Sequence, residues 1–130
     1  MGLKIAYGCV NGFTPPLEPD LVIPDGVTTV CGSVFKGNRA IRSVRIPDSV
    51  TSIGDNAFRG CENLVTVEAG QRLENIGKSA FCGCVSLKSF TMGESMCRIS
   101  TKAFSGCRSL TDVTLPHFLT GVDDRAYEGT

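Results

Sequence analysis

The chain has 130 residues and carries 13 basic and 13 acidic side chains, so its formal net charge is zero. Balanced charge argues against a protein that binds nucleic acid or an anionic membrane electrostatically, because such proteins usually carry excess Lys and Arg. No apolar run is long enough to span a bilayer, and the length suits one domain with a hydrophobic core.

The first 19 residues do not follow the pattern of the remaining chain. Met1–Ala6 lacks the charged start and the long apolar core of a signal peptide. Thr14–Pro19 contains three prolines, which fix the backbone and remove hydrogen-bond donors. We therefore predict that residues 1–19 form an irregular N-terminal cap and that residues 20–130 form a single repeat domain.

From residue 20 onward, one phrase recurs every 23 residues. Its clearest copies are SIGDNAFRGC, NIGKSAFCGC and RISTKAFSGC. In each copy an aromatic residue is preceded by an aliphatic residue five positions earlier and followed by a glycine two positions later. The aromatic positions are Phe35, Phe58, Phe81, Phe104 and Tyr127. Self-similarity at a fixed period of this size predicts a solenoid, here with about five turns.

Each repeat contains two extended stretches and a turn. The first stretch has alternating apolar residues at its end, for example Ile41, Val44 and Ile46. This alternation indicates a short strand with one buried face. Such short strands must pair in parallel with their counterparts in neighbouring repeats. The second stretch, such as Ser49–Ile53, precedes a short helical turn that carries Ala-Phe and ends at the glycine. We predict that the aromatic side chains stack to form the core.

The chain has seven cysteines, whereas a secreted disulfide scaffold typically has an even number. Cys61, Cys84 and Cys107 share one repeat position, directly after the glycine, where a free thiol packs as a compact hydrophobe. Disulfides between them are not expected, because side chains on adjacent parallel rungs point the same way. Free thiols throughout, together with the missing signal peptide, favour a cytoplasmic location over a cell-surface or secreted one.

The pattern I-P-x-S-V-T-x-I-G-x-x-A-F-x-G-C-x-x-L is complete between Ile46 and Leu64. It resembles the repeat of the BspA-like, or Treponema pallidum-type, leucine-rich repeat family, and the resemblance covers residues 20–130. The resemblance implies a right-handed leucine-rich-repeat solenoid with short parallel strands on its concave side. It also implies adhesion or protein–protein interaction, often on microbial surfaces, with no catalytic residues and no cofactor.

Three groups of residues weakly suggest a phosphate-binding loop, a zinc site or a catalytic histidine. Gly77–Ser79 resembles the end of a phosphate-binding loop, but Arg72 occupies the position where that loop needs a glycine. Cys82–Cys84 with Cys107 and His117 contains zinc-ligand types without the closely spaced pairs of a structural zinc site. His117 is the only histidine, and no activated nucleophile is signalled near it. We expect neither a metal site nor an enzyme.

The candidate binding site is the set of polar residues that point outward from the predicted concave sheet. We predict that another protein binds Arg42, Ser43, Arg45, Thr66, Glu68, Lys88, Ser89, Thr91, Asp112 and Thr114. The alternatives are a face that is only solvated and a structural spacer from a longer microbial cell-surface adhesin. The chain stops just after its last predicted turn, which also predicts self-association through an open C-terminal strand edge.

Overall fold

Each 23-residue repeat folds as one turn of a solenoid and contributes one short strand to each of two sheets. The computed structural model describes residues 2–113 and the backbone of the strand at residues 121–122. The five-stranded sheet contains, in spatial order, β11 (Asp112–Val113), β9 (Ser89–Thr91), β7 (Thr66–Glu68), β5 (Ser43–Arg45) and β3 (Asp20–Val22). The seven-stranded sheet contains β1 (Gly2–Ala6), β2 (Cys9–Thr14), β4 (Thr29–Val30), β6 (Ser52–Ile53), β8 (Asn75–Ile76), β10 (Arg98–Ile99) and β12 (Gly121–Val122).

The register between strands reproduces the sequence period. Ser43 lies opposite Thr66, and Thr66 lies opposite Ser89, each a step of 23 residues. In the second sheet Ile53 lies opposite Ile76, and Ile76 opposite Ile99. Strands of two or three residues are not stable alone, so each depends on the identical strand of the next turn. The parallel solenoid predicted from the repeat is confirmed.

The turn that carries Ala-Phe differs from the helical turn that the sequence suggested, since the described residues contain no helix. The backbone N–H of Phe58 donates to the Ala80 carbonyl of the next turn at 2.7 Å rather than within its own turn. The glycines at positions 37, 60, 83 and 106 have φ between 72° and 76°, as expected for left-handed residues. A second left-handed residue precedes each aromatic by two positions, at Ser33, Asn56, Ser79 and Lys102. Two left-handed residues so close together prevent a regular right-handed helix.

A column of stacked aromatic rings fills the core. Phe35, Phe58, Phe81 and Phe104 are fully buried, with successive ring centroids 5.1, 5.1 and 5.6 Å apart. Phe90 reaches the column from β9 and contacts two of these rings edge-on at 5.1 Å. Offset stacking and edge-on contacts are the favoured geometries of aromatic pairs. The predicted column is confirmed for four of its five members, and Tyr127 lies outside the described residues.

The cysteine column lies beside the aromatic rings and is also fully buried. Each thiol donates a hydrogen bond to a backbone carbonyl of the previous turn. Cys61 Sγ donates to Phe35 O at 3.2 Å, and equivalent bonds are formed by Cys84 and Cys107. Burial raises the pKa of Cys61 to about 11 and the pKa of Cys107 to about 12, because a thiolate would be desolvated. It raises the pKa of Cys84 further, with the thiols on either side adding to the effect. These three cysteines are free, as predicted.

The N-terminal segment departs from two expectations. Residues 2–14 are not irregular but form an antiparallel hairpin of β1 and β2, and β2 extends the seven-stranded sheet by pairing in parallel with β4. Phe13 stacks on Phe35 with ring centroids 5.6 Å apart, so the hairpin covers the end of the aromatic column. Cys9 and Cys31 form a disulfide that ties the hairpin to the first turn, so the expectation of free thiols throughout is wrong for these two residues. The domain boundary after residue 19 stays a prediction.

Candidate functional site: the outward face of the five-stranded sheet

The outward face of the five-stranded sheet, called the sheet face below, is built by the period-two alternation of its strands. Leu21, Val44, Val67 and Phe90 point into the core from the centres of β3, β5, β7 and β9. The residues on either side of them form two columns across the sheet. The first column is Asp20, Ser43, Thr66, Ser89 and Asp112, and the second is Val22, Arg45, Glu68 and Thr91.

Two pairs of side chains bridge adjacent strands of the sheet face. Ser43 Oγ donates to Asp20 Oδ1 at 2.7 Å. Arg45 donates from Nε to Glu68 Oε2 at 3.2 Å, and its Nη2 lies 3.1 Å from the same oxygen. Both partners of that ion pair stay largely exposed, at 70% and 60%, so water screens their attraction and the pair adds little stability. In the structure the pair connects β5 and β7 across the sheet face.

A third column flanks the sheet face where each strand begins, and it contains Arg42, Val65, Lys88 and Thr111. The backbone N–H of Val65 donates to the Arg42 carbonyl, and that of Lys88 donates to the Val65 carbonyl, which keeps the column in register. Arg42 and Lys88 are exposed, and neither forms a salt bridge within residues 2–113. Arg42 precedes β5 and Lys88 precedes β9, so their backbones lie two strand spacings apart across the sheet, about 10 Å. Two basic groups are therefore available to an acidic surface of a partner.

The sheet face is shallow. A depression of about 270 Å³ covers parts of β3, β5 and β7, and Arg45 and Glu68 are among the residues that line it. Its surface is polar and hydroxyl-rich, without the tryptophan and tyrosine that anchor most strong interfaces. Such a surface suits a broad contact with another macromolecule better than a buried small molecule, which usually needs a deep apolar pocket.

The predicted site residues are placed together, with one exception. The structure brings Ser43, Thr66, Ser89 and Asp112 into one column, Arg45, Glu68 and Thr91 into the next, and Arg42 and Lys88 into the flank. Ser43, Thr66 and Ser89 are half-buried, and the other six are exposed. Thr114 lies outside the described residues, as does most of the C-terminal edge where self-association was predicted.

The phosphate-loop alternative does not fit the backbone at Gly77–Ser79. The Gly77 N–H donates to Ile53 O, the Lys78 N–H to Asp55 Oδ1, and the Ser79 N–H to Thr101 O. A phosphate-binding loop needs free N–H groups that converge on the anion, whereas these bond to neighbouring turns. The sequence and the structure therefore agree in assigning this segment a structural role.

The residues of the suggested zinc site are only partly described. Within residues 2–113 and 121–122, no three His, Cys, Asp or Glu side chains are grouped so that they could hold a metal ion. Cys84 and Cys107 are occupied by their bonds to Phe58 O and Phe81 O. His117 lies outside the described residues.

Within residues 2–113 and 121–122, no helix has the length and apolarity to cross a membrane.

Comparison with protein families finds six copies of the BspA-type leucine-rich repeat region across residues 16–130. No curated protein matches the chain significantly. The family match begins shortly before β3, and it includes every residue of the sheet face. The matched residues are nearly the same as residues 20–130, over which the repeat was read from the sequence.

Solved structures of bacterial leucine-rich repeat proteins are similar to the whole fold. The leucine-rich repeat protein of Treponema pallidum is 33% identical with a TM-score of 0.83, over 98% of this chain and 62% of that chain. A leucine-rich cell surface protein of Faecalibacterium prausnitzii is 26% identical with a TM-score of 0.68, over 98% and 44%. A leucine-rich repeat protein of Bacteroides ovatus is 26% identical with a TM-score of 0.60, over 88% and 39%. The chain thus spans less than two thirds of each of these relatives.

Proposed function

The chain belongs to the family of BspA-type leucine-rich repeat proteins, and we propose that it is a non-enzymatic module that binds another protein through the sheet face. Proteins built from these repeats are generally interaction or cell-surface proteins and are typically non-enzymatic scaffolds. The repeats serve this role because stacked turns present a long, rigid surface whose side chains vary without altering the core.

The observation that carries the proposal is the in-register polar surface of five strands. Arg45 and Glu68 form an ion pair with each other, while Arg42 and Lys88 have no salt bridge within residues 2–113. Complementary charge on a partner would raise the rate of encounter and set its orientation. Ser43, Thr66 and Ser89 offer hydroxyl groups along the centre of the same surface.

The test is a charge-reversed sheet face, Arg45→Glu with Glu68→Lys and Lys88→Glu. The immobilised parent protein and the variant are used to capture partners from the native host, and captured proteins are identified by mass spectrometry. The matched control is Arg59→Glu with Glu74→Lys and Lys78→Glu, which makes the same charge changes at exposed residues away from the sheet face. We expect a partner that is lost from the sheet-face variant and retained by the control. A partner that both variants retain would contradict binding through the sheet face.

The second candidate function is a structural module of a longer microbial cell-surface adhesin. Two observations favour it: one similar structure is described as a leucine-rich cell surface protein, and Cys9 and Cys31 form a disulfide. Disulfides persist mainly outside the reducing cytoplasm, so this bond weighs against the cytoplasmic location suggested by the sequence. Accessibility of the protein to a membrane-impermeant label on intact host cells would support this candidate. A cytoplasmic protein whose Cys9 and Cys31 are both alkylated without prior reduction would contradict it.

A further inference from the structure

The N-terminal end of the molecule carries an apolar cleft that shares Asp20 and Val22 with the sheet face and extends beyond it to β1. It has a volume of about 400 Å³ and lies between β1 and β3, with Leu3 and Ile5 on one side and Leu21 and Val22 on the other. Ile5 is 46% exposed and Val22 is 60% exposed. Within the described part of the chain, the exposed large hydrophobic residues are Ile5, Val22 and Tyr7, which lies in the hairpin between β1 and β2. A concentration of exposed apolar surface at one end indicates an interaction site.

The cleft exists because the two sheets end at different turns. β2 extends the seven-stranded sheet one position beyond β4, whereas β3 is the last strand of the five-stranded sheet. The residues that precede β2 fold back on it as β1 instead of adding a strand beside β3. Pro15, Pro16 and Pro19 follow β2 and lack an N–H, so this segment cannot form a regular ladder beside β3 either. One strand position beside β3 is therefore open within the described residues.

The exposed edge of β3 offers backbone hydrogen-bonding groups on the open side. The opposite edge is bonded to β5, as shown by the Ile23 N–H, which donates to Arg45 O at 3.0 Å. In a parallel ladder, alternate residues direct their N–H and C=O groups to opposite sides of the strand. The backbone groups of Asp20 and Val22 therefore point away from β5. An edge of this kind accepts an extended segment as an additional strand.

The charge around the cleft defines the partner further. Glu18 and Asp20 line the cleft, and its lining contains no Lys, Arg or His. The Asp20 carboxylate also accepts a hydrogen bond from the Ser43 hydroxyl at 2.7 Å, from the β5 side of β3. An apolar cleft with carboxylates and no basic group is complementary to an aliphatic segment that carries a positive charge.

We propose that this cleft binds a linear segment of a partner protein that contains a basic residue followed by aliphatic residues. The segment adds to β3 as one more strand and bonds to the backbone of Asp20 and Val22. Its basic side chain lies beside the Asp20 carboxylate, and the next side chain, in register with Leu21, enters the cleft. The following aliphatic side chain covers Val22. This site is separate from the charged residues that the sheet-face variant alters, so the two proposals can fail independently.

The probe is a peptide of sequence Gly-Thr-Lys-Ile-Val-Thr-Gly with blocked ends, titrated into the isotope-labelled protein and followed by NMR. We expect shifts at the amides of Asp20 and Val22 and in β1, with a Kd below about 1 mM. Methylation of the peptide nitrogens that face β3 should weaken binding about tenfold, because the added strand loses a donor. Equal binding of the methylated peptide, or the absence of shifts in β3, would overturn the proposal.

Charge exchange tests the contact with Asp20 separately. Asp20→Lys should weaken the lysine peptide about tenfold and strengthen a peptide with glutamate in place of lysine by a similar factor. Glu74→Lys is the matched control, because it makes the same change of charge at an exposed residue outside both the cleft and the sheet face. It should leave both affinities unchanged. The parent protein is also tested alone by hydrogen exchange: slow exchange at Asp20 and Val22 without peptide would show that the chain covers this edge itself, and the proposal would be wrong.

Discussion

Aromatic rings stack both in the interior turns and at the N-terminal end, but interior rings have neighbours on both sides and the terminal ring has a neighbour on one side only. Phe58 and Phe81 lie between rings on both sides, at 5.1 Å or 5.6 Å, and are fully buried. Phe13 has Phe35 on one side and is only partly buried. At the same end Ile5, Tyr7 and Val22 remain exposed. In a solenoid each turn is stabilised by its neighbours, so the first turn needs a different means of closure, here a hairpin and a disulfide.

The largest expected effect is the loss of an interior ring. Phe81→Ala should lower the free energy of unfolding by about 3–5 kcal/mol, because it leaves a cavity between two stacked neighbours. Phe13→Ala should cost clearly less, since that ring is partly exposed and stacked on one side only. Urea unfolding of both variants measures the difference. A Phe81→Ala protein that melts within about a degree of the parent would contradict the stacked core.

The second effect concerns the covalent closure of the N-terminal end. Replacing both Cys9 and Cys31 with alanine should lower the free energy of unfolding by about 2–4 kcal/mol, because the disulfide no longer restricts the unfolded chain. Hydrogen exchange should locate the loss of protection in β1 and β2, while β7 to β10 keep theirs. Uniform loss of protection along the whole chain would show that the end and the interior unfold as one unit.

Glycine positions provide a third contrast between the two regions. A Cβ at Gly77 would lie 2.7 Å from the backbone nitrogen of Asp55 in the preceding turn, whereas a Cβ at Gly12 in the hairpin would meet only the Lys4 side chain, at 3.5 Å. We expect Gly77→Ala to cost about 1–3 kcal/mol, because two turns would have to separate. Gly12→Ala should change stability by less than about 0.5 kcal/mol. Thermal melts of the two variants measure the difference. Equal losses of stability would contradict the close approach of adjacent turns at Gly77.

The buried thiols give a smaller effect that depends on pH. Because burial raises the pKa of Cys61 from 9.0 to about 11, the folded state keeps a proton that the unfolded state releases above about pH 9. Stability should be unaffected by these thiols at neutral pH and, for Cys61, should fall between about pH 9 and pH 11, by up to about 1.4 kcal/mol per pH unit. Cys84→Ala removes one such thiol, so its stability should fall less steeply with pH. Parallel slopes for parent and variant in urea titrations at alkaline pH would contradict this assignment.

The N-terminal end was also where the sequence was least informative. The 23-residue period predicted the turns, the aromatic column and the buried cysteines, because each position recurs with the same residue type. Residues 2–14 have no counterpart in the repeat, and their strands are stabilised by pairing with β4 rather than by their own pattern. The cleft lined by Ile5 and Val22 could not be predicted for the same reason, since it depends on where the hairpin folds back.

The sequence by itself determined the repeat unit, the inward and outward positions of each strand and the family, because periodic apolar residues can be buried in one way only when identical turns stack. It also placed Arg45 and Glu68 on one face, since side chains alternate along a strand. Only the tertiary structure decided that Cys9 meets Cys31, that Ser33, Asn56, Ser79 and Lys102 adopt left-handed conformations, and that β3 pairs only with β5 within the described residues. These features depend on contacts between turns and on the place where the stack stops, and neither is encoded in a single repeat.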